Sequence, residues 1–233
     1  MNFRQLYSSS RSNLYLATTG NGKQLLLECG ISWQAIQKAL NYDLTNIVAC
    51  CLTHEHHDHS KAIKDVIRAG IDVYASRGTL SALSVESERR ATVVADGTLV
   101  RLDDFEILAF SLNHDAVEAL GFIVRADQEY LFFVPDASHI TQKFNLAFNI
   151  IAIECSFDKD VLQKKVDSLE INEQLAKRLL TSHMEKQATI RYLADFCDLS
   201  HCREIHLLHM GNINKEQTRK EIEQKFFIDT RIV

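Results

Sequence analysis

Residues 51–60 read CLTHEHHDHS, with four histidines and two acids in the six positions from His54 to His59. The run before it, IVACCLT (47–53), is apolar and β-branched, as a buried strand is. The run after it, KAIKDVIRA ending at Gly70, has helical spacing with a residue suited to a left-handed cap. The cluster therefore occupies a strand-to-helix loop, where rigid flanking elements can hold a site. An extended backbone points His54 and His56 the same way, so both imidazoles can reach one ion. The following turn lets Asp58 and His59 face elsewhere, which invites a second ion. Imidazole and carboxylate suit zinc, iron or manganese, whereas a structural zinc site would more often be rich in cysteine, and none lies within the cluster. Glu55 and His57 read as solvent-facing or supporting positions. The competing reading of the whole stretch is a polar surface loop.

Working outward, strands are expected at NLYLAT (13–18), QLLLEC (24–29), FEILAFSL (105–112), FIVRA (122–126), YLFFV (130–134), IIAIEC (150–155) and EIHLLH (204–209). Asn21-Gly22 between the first two is a hairpin signal. Helices are expected at WQAIQKAL (33–40), INEQLAKRLL (171–180) and EKQATIRYLADF (185–196). This order suits an α/β protein with two sheets sandwiched between outer helices. The chain has 233 residues, 46% hydrophobic and 24% charged, enough for a substantial core, and no Pro/Gly-rich linker marks a boundary. A single domain over 1–233 is the expectation.

The net charge of -5 argues against a broad basic face for long nucleic acid. Cys29, Cys50, Cys51, Cys155, Cys197 and Cys202 form no CxxC pair, so reduced thiols are expected, with Cys50 and Cys51 packed as small hydrophobes. The opening MNFRQLYSSS lacks the apolar run of a signal peptide, and no stretch reaches the ~18 consecutive apolar residues of a membrane span. A soluble, cytoplasmic protein is expected.

His54-x-His56-x-Asp58-His59 resembles the signature of the metallo-β-lactamase superfamily, whose fold is a four-layer αββα sandwich. The resemblance carries further in chain order. His114 in SLNHDAVEALGF matches the third histidine of the first metal, Asp136 in FFVPDAS the bridging carboxylate, and His209 in HLLHMGN the last histidine. It implies two divalent ions, Zn2+ or Mn2+: His54, His56 and His114 on one, Asp58, His59 and His209 on the other, and Asp136 spanning both. Taken singly, His114, Asp136 and His209 are equally readable as satisfied polar residues at strand ends.

The chain is also similar to the YycJ/WalJ-like branch from about Ser8 to Asn214, through its serine-rich start, the NHDAVEALGFIV segment, TSHMEKQATIRYL and LLHMGNIN. One stretch and three single residues depart from that pattern. Glu28 stands where the branch has an aspartate supporting the metal loop, SSSRSN replaces a glycine-rich start, and Glu185 and Gly211 each replace a serine.

The branch implies a metal-dependent hydrolase of phosphodiester bonds, specifically a 5′-to-3′ DNA exonuclease acting through a metal-bridging hydroxide, with single-stranded or end-containing DNA as partner. Asp58 would orient the nucleophile. His183 would serve the leaving group, held by Glu154; the alternative is a helix-entry histidine bonded to backbone and a glutamate in an unrelated ion pair. Two other functions stay open. One keeps the site for a small cyclic phosphodiester, thioester or lactone, and the other is a non-catalytic, metal-stabilised binding protein.

Overall fold

In the computed structural model, which describes residues 1–233, six strands follow one another across a sheet in chain order. They are β1 (Asn2–Ser9), β2 (Ser12–Thr18), β3 (Gln24–Leu27), β4 (Ile47–Cys51), β5 (Val73–Ala75) and β6 (Ala91–Val93). β1 to β3 run antiparallel, and Gly22 takes φ 89° in the loop joining β2 to β3, the backbone that the Asn-Gly pair signals. From β3 to β6 the pairing is parallel. Parallel strands need crossovers, and the chain supplies α1 (Trp33–Ala39), α2 (His57–Ser60), α3 (Ile63–Arg68) and α4 (Arg77–Ala82).

One face of this sheet meets those helices. Leu14, Leu16, Leu26, Cys50, Leu52 and Val73 pack with Ile36 of α1, with Ile63, Val66 and Ile67 of α3, and with Leu80 of α4. A fully buried aliphatic side chain contributes roughly 1.5–3 kcal/mol, so this cluster is what fixes the strand ends. Ser32 and Ser76 cap α1 and α4, and Gly70 closes the turn after α3 at φ 88°. All six cysteines are free thiols, and Cys29, Cys50 and Cys51 are fully buried.

These elements belong to one of two compact units, which holds residues 1–111, 116–129 and 233. The same unit contains an antiparallel meander of β7 (Leu99–Leu102), β8 (Phe105–Ser111) and β9 (Leu120–Ala126).

The other unit holds residues 112–115 and 130–232. Its strands are β10 (Glu129–Val134), β11 (Ile150–Glu154), β12 (Glu204–Leu208) and β13 (Asp229–Arg231), each parallel to the next. Strands covered on both faces carry continuous apolar runs, which is why YLFFV and IIAI lack alternation. Between β11 and β12 the chain makes α5 (Lys159–Asp167), α6 (Glu173–Ser182) and α7 (Lys186–Phe196), and α8 (Lys215–Phe226) precedes β13. Phe132 of β10 packs against Phe148 at 5.0 Å and stacks on Tyr192 of α7 at 5.8 Å. α5 and α6 share a small cluster of Phe157, Leu162 and Ala176 with Val166, Ile171 and Leu179.

The strand expected at 47–53 ends at Cys51, the one at 122–126 begins at Leu120 and the helix after the motif begins at Ile63, and three further differences have a local cause. The strand expected at 24–29 ends at Leu27, because Glu28 turns into the left-handed region at φ 66°. The helix expected at 171–180 runs Glu173–Ser182, because the Asn172 side chain accepts from Leu175 N and so caps it. The histidine cluster is not all loop, since residues 57–60 already form a helical turn. β1, the short strands β5, β6, β7 and β13, the six-residue α4 and the charge-rich helices α5 and α8 carry too weak an apolar period to be read from sequence. No helix is long and apolar enough to cross a membrane.

Candidate metal centre

In the first unit the motif is held from beneath by Glu28. This fully buried carboxylate accepts from Thr53 Oγ1 at 2.5 Å and from Thr53 N at 3.4 Å. Thr53 gives its only proton to Glu28, so its oxygen accepts from His54 Nδ1–H at 2.9 Å. That fixes the tautomer and leaves His54 Nε2 as the lone-pair nitrogen. His54 Nε2 lies 3.0 Å from His56 Nδ1. Two nitrogens each ~2.05 Å from a tetrahedral ion stand roughly 3.3 Å apart, so the pair fits a common ion. Burial raises the Glu28 carboxyl above its ordinary range, and His59 and Thr53 oppose that rise. Glu28, where the resemblance sets an aspartate, reaches Thr53 from a left-handed turn at φ 66°.

Asp58 and His59 leave this pair by entering α2. The His59 ring stays 4.1 Å from that of His54, while its Nε2 lies 3.4 Å from Asp58 Oδ2 and its Nδ1 3.7 Å from Glu28 Oε2. The turn is pinned at its backbone. Cys29 N donates to His59 O at 2.8 Å, and a Cβ on Gly30 would stand 1.5 Å from Asp58 O. Glu55 is a support, its Oε1 accepting from Val117 N at 2.8 Å, whereas His57 is exposed.

In the second unit, parallel strands bring their carboxyl ends to one edge, the usual place for a site in such sheets. Asp136 follows β10, Glu154 ends β11 and His209 follows β12; with His183, the residue closing α6, their ligand atoms lie within 4.8 Å of one another. All four are buried, Glu154 completely. An unpaired buried carboxylate costs several kcal/mol, so its donors matter. Glu154 Oε2 accepts from Ala137 N at 2.6 Å, and Oε1 accepts from His183 Nδ1 at 2.6 Å and faces His209 Nδ1 at 3.3 Å. His209 Nδ1 also lies 2.9 Å from Asp136 Oδ1.

This is an environment that draws positive charge. Burial opposes the protonated form of His209, but Asp136 and Glu154 outweigh it and push the imidazole up to about 10. Burial likewise opposes protonation of His183, and Glu154 raises it above the usual histidine range. A donor set of buried carboxylates and imidazoles that holds a proton so firmly also suits a divalent cation.

His114 belongs to this unit too. Its Nδ1–H donates to Ser182 O at 2.8 Å, and its Nε2 lies 3.6 Å from Asp136 Oδ2. Thus the predicted residues fall into two clusters: His54, His56, Asp58 and His59 in one unit, and His114, Asp136, Glu154, His183 and His209 in the other. Sequence reasoning missed Thr53, the Ser182 carbonyl, Gly30 and Asn13, whose amide touches Asp58. Thr53, Ser182 and Asn13 each lie in a segment quoted above, but nothing in local spacing joins Asn13 to a residue so far along the chain.

The sequence profile described as the Beta-lactamase superfamily domain matches residues 23–198. The chain belongs to the β-lactamase superfamily. Among solved structures, this superfamily member is similar to the metallo-β-lactamase fold protein YhfI of Bacillus subtilis, with a TM-score of 0.75, 16% identity, and 99% of this chain and 95% of that one covered. It shares the αββα metallo-β-lactamase fold. Among curated proteins it is 23% identical to exodeoxyribonuclease YycJ of Bacillus anthracis, over 96% of this chain and 88% of that protein. It is 26% identical to ribonuclease Z of Clostridium acetobutylicum, over 57% of this chain and 50% of that protein. This β-lactamase superfamily protein is a metal-dependent hydrolase, and its fold implies divalent metal ions.

Proposed function

We propose that this hydrolase cleaves phosphodiester bonds in nucleic acid, and that its substrate is single-stranded or end-containing DNA degraded from the 5′ end. The observation that carries the reading is the 2.6 Å contact between Glu154 Oε1 and His183 Nδ1. Hydrolysis of a phosphodiester needs a proton for the departing oxygen, and a histidine held in its charged form by a buried carboxylate supplies one near neutral pH. The names of the two curated relatives, a deoxyribonuclease and a ribonuclease, support the substrate class.

In this reading His54, His56 and His114 would hold one ion and Asp58, His59 and His209 the other, with Asp136 contributing to both, as the family pattern implies. The ions, Zn2+ or Mn2+, would activate water and neutralise charge on the phosphate. The chain's own groups do the rest. Glu28, through Thr53, keeps His54 Nε2 directed outward as a ligand; the Ser182 carbonyl does the same for His114. Asp58 orients the attacking water. Glu154 holds His183 by Nδ1, which leaves Nε2–H to donate to the leaving oxygen.

The test is incubation of the purified protein with 5′-phosphorylated single-stranded DNA and manganese, with product length followed over time beside Asp58→Ala. Progressive shortening that the variant lacks is expected, and the fate of the 5′ label gives the polarity. A net charge of -5 favours a second reading, a small cyclic phosphodiester, thioester or lactone. Intact DNA together with turnover of one of those compounds would replace the first reading by the second.

A further inference from the structure

Asn13, at the start of β2, is fully buried and makes contacts that settle which end of its amide faces the motif. Ser9 N donates to Asn13 Oδ1 at 3.3 Å, and Asn13 Nδ2 donates back to Ser9 O at 3.0 Å. Tyr15 Oη donates to Oδ1 at 2.9 Å and is itself 2.9 Å from Ser8 Oγ. With the oxygen committed, Nδ2 is the atom presented to the metal loop. It lies 3.2 Å from Asp58 O, 3.1 Å from Asp58 Oδ2 and 3.0 Å from His59 Nε2. Backbone contacts draw the two segments together, since Gly30 N donates to Asn13 O at 2.9 Å while Gly30 lies against the Asp58 carbonyl.

Asp58 Oδ2 and His59 Nε2 are 3.4 Å apart. Two acceptor atoms at that distance repel unless a donor or a cation faces both, and two ligands each ~2.0–2.2 Å from one ion have about this separation. We propose that Asn13 is a positioning residue, which uses its neutral amide N–H groups to hold Asp58, and with it the turn that carries His59, at the spacing and orientation a shared ion requires, the single lone pair of His59 Nε2 passing from Asn13 to the ion. The proposal rests on the reading that these two residues hold the second ion. Asn13 is no ligand itself, because its only lone-pair atom is occupied by Ser9 and Tyr15. An aspartate in its place would keep the shape but present an acceptor where a donor is needed.

Metal-free protein titrated with Co2+ gives readouts independent of activity: stepwise affinities by calorimetry and the visible spectrum of the bound ion. The wild-type protein should take two ions. Asn13→Ala should keep the first affinity within about 2-fold and lose about 10–100-fold in the second, the usual scale for removing a group that orients a ligand. A wild-type protein that takes fewer than two ions overturns the two-ion reading itself. Two ions bound by wild type and by Asn13→Ala with unchanged affinities overturn the role of Asn13 alone, as does an equal loss in both steps. Should Asn13→Ala not fold, Asn13→Asp carries the same test: a shifted cobalt spectrum supports the proposal, and an unchanged spectrum at full occupancy overturns it.

Discussion

At the scale of single residues, the histidine motif was legible because its geometry is local. Spacing along an extended backbone and then a turn fixes which rings converge, and no distant residue is needed to see it. The supports were not legible, because each is a contact between segments far apart in sequence. Glu28 is a case between the two: its place in the pattern was visible, but its left-handed backbone, and hence its reach to Thr53, was not. Gly30 gives a sharp test of that support. Gly30→Ala places a methyl group where Asp58 O now lies, at 1.5 Å, so the loop must move. Because a packed interior does not yield by such a distance, the variant should lose Co2+ at the Asp58 and His59 limb, as measured by equilibrium dialysis, even if the fold survives by circular dichroism. His183→Ala bears on chemistry instead. It should keep its metal by elemental analysis and lower turnover by ~10²–10⁴-fold, the range for lost acid-base help, and unchanged turnover would remove His183 from the mechanism.

Among the elements, the long apolar strands and amphipathic helices were readable because burial writes a period into them. α5 and α8 were not, since their surfaces are charged and what fixes them is a few specific contacts. Lys186 is one such contact: from the first residue of α7 it reaches Asp158, the cap of α5, at 2.6 Å and Glu221 of α8 at 3.2 Å. Burial opposes the charge on Asp158, but Lys186 and the backbone amides of α5 outweigh it and hold the carboxyl below its usual value. Burial opposes the charge on Lys186 as well, and its two carboxylates raise it. The stability from Asp158 is therefore present above its unfolded value of about 3.9 and fades as pH falls through the lower folded one. That from Lys186 is complete below its unfolded value of about 10.4 and fades as pH rises through the higher folded one. The gap in unfolding free energy between wild type and Lys186→Met should accordingly be level from about pH 5 to 9 and close toward both extremes. A gap that stays level at pH 3 would mean the lysine acts through packing of its methylenes alone.

For the whole molecule, the order of the candidate site residues came from the resemblance of their motifs, and the structure sets three of them, Asp136, Glu154 and His209, at the carboxyl ends of parallel strands, which lie along one edge. The division into two compact units was not legible, since the chain passes between them at 111/112, 115/116 and 129/130 with no Pro/Gly-rich linker to mark the places. Buried carboxylates and imidazoles that suit a cation should make the native state metal-linked. Chelation should lower the unfolding midpoint, and restoring metal at about a hundred times its Kd should return roughly 2.7 kcal/mol per independent site. Equal midpoints with and without chelator would show that the ions contribute nothing to the fold. The carbonyl of Ser182 orients His114, and the very next residue is His183, so a single peptide unit at the end of α6 sets both. Inserting one residue within that helix would rotate its end by ~100° and misplace both groups at once. A lineage can lengthen or rewrite the turn around Leu169, which is 91% exposed, but it can alter the length of α6 only in near-whole turns. Gaps in the sequences of its relatives should crowd into that turn and avoid the helix.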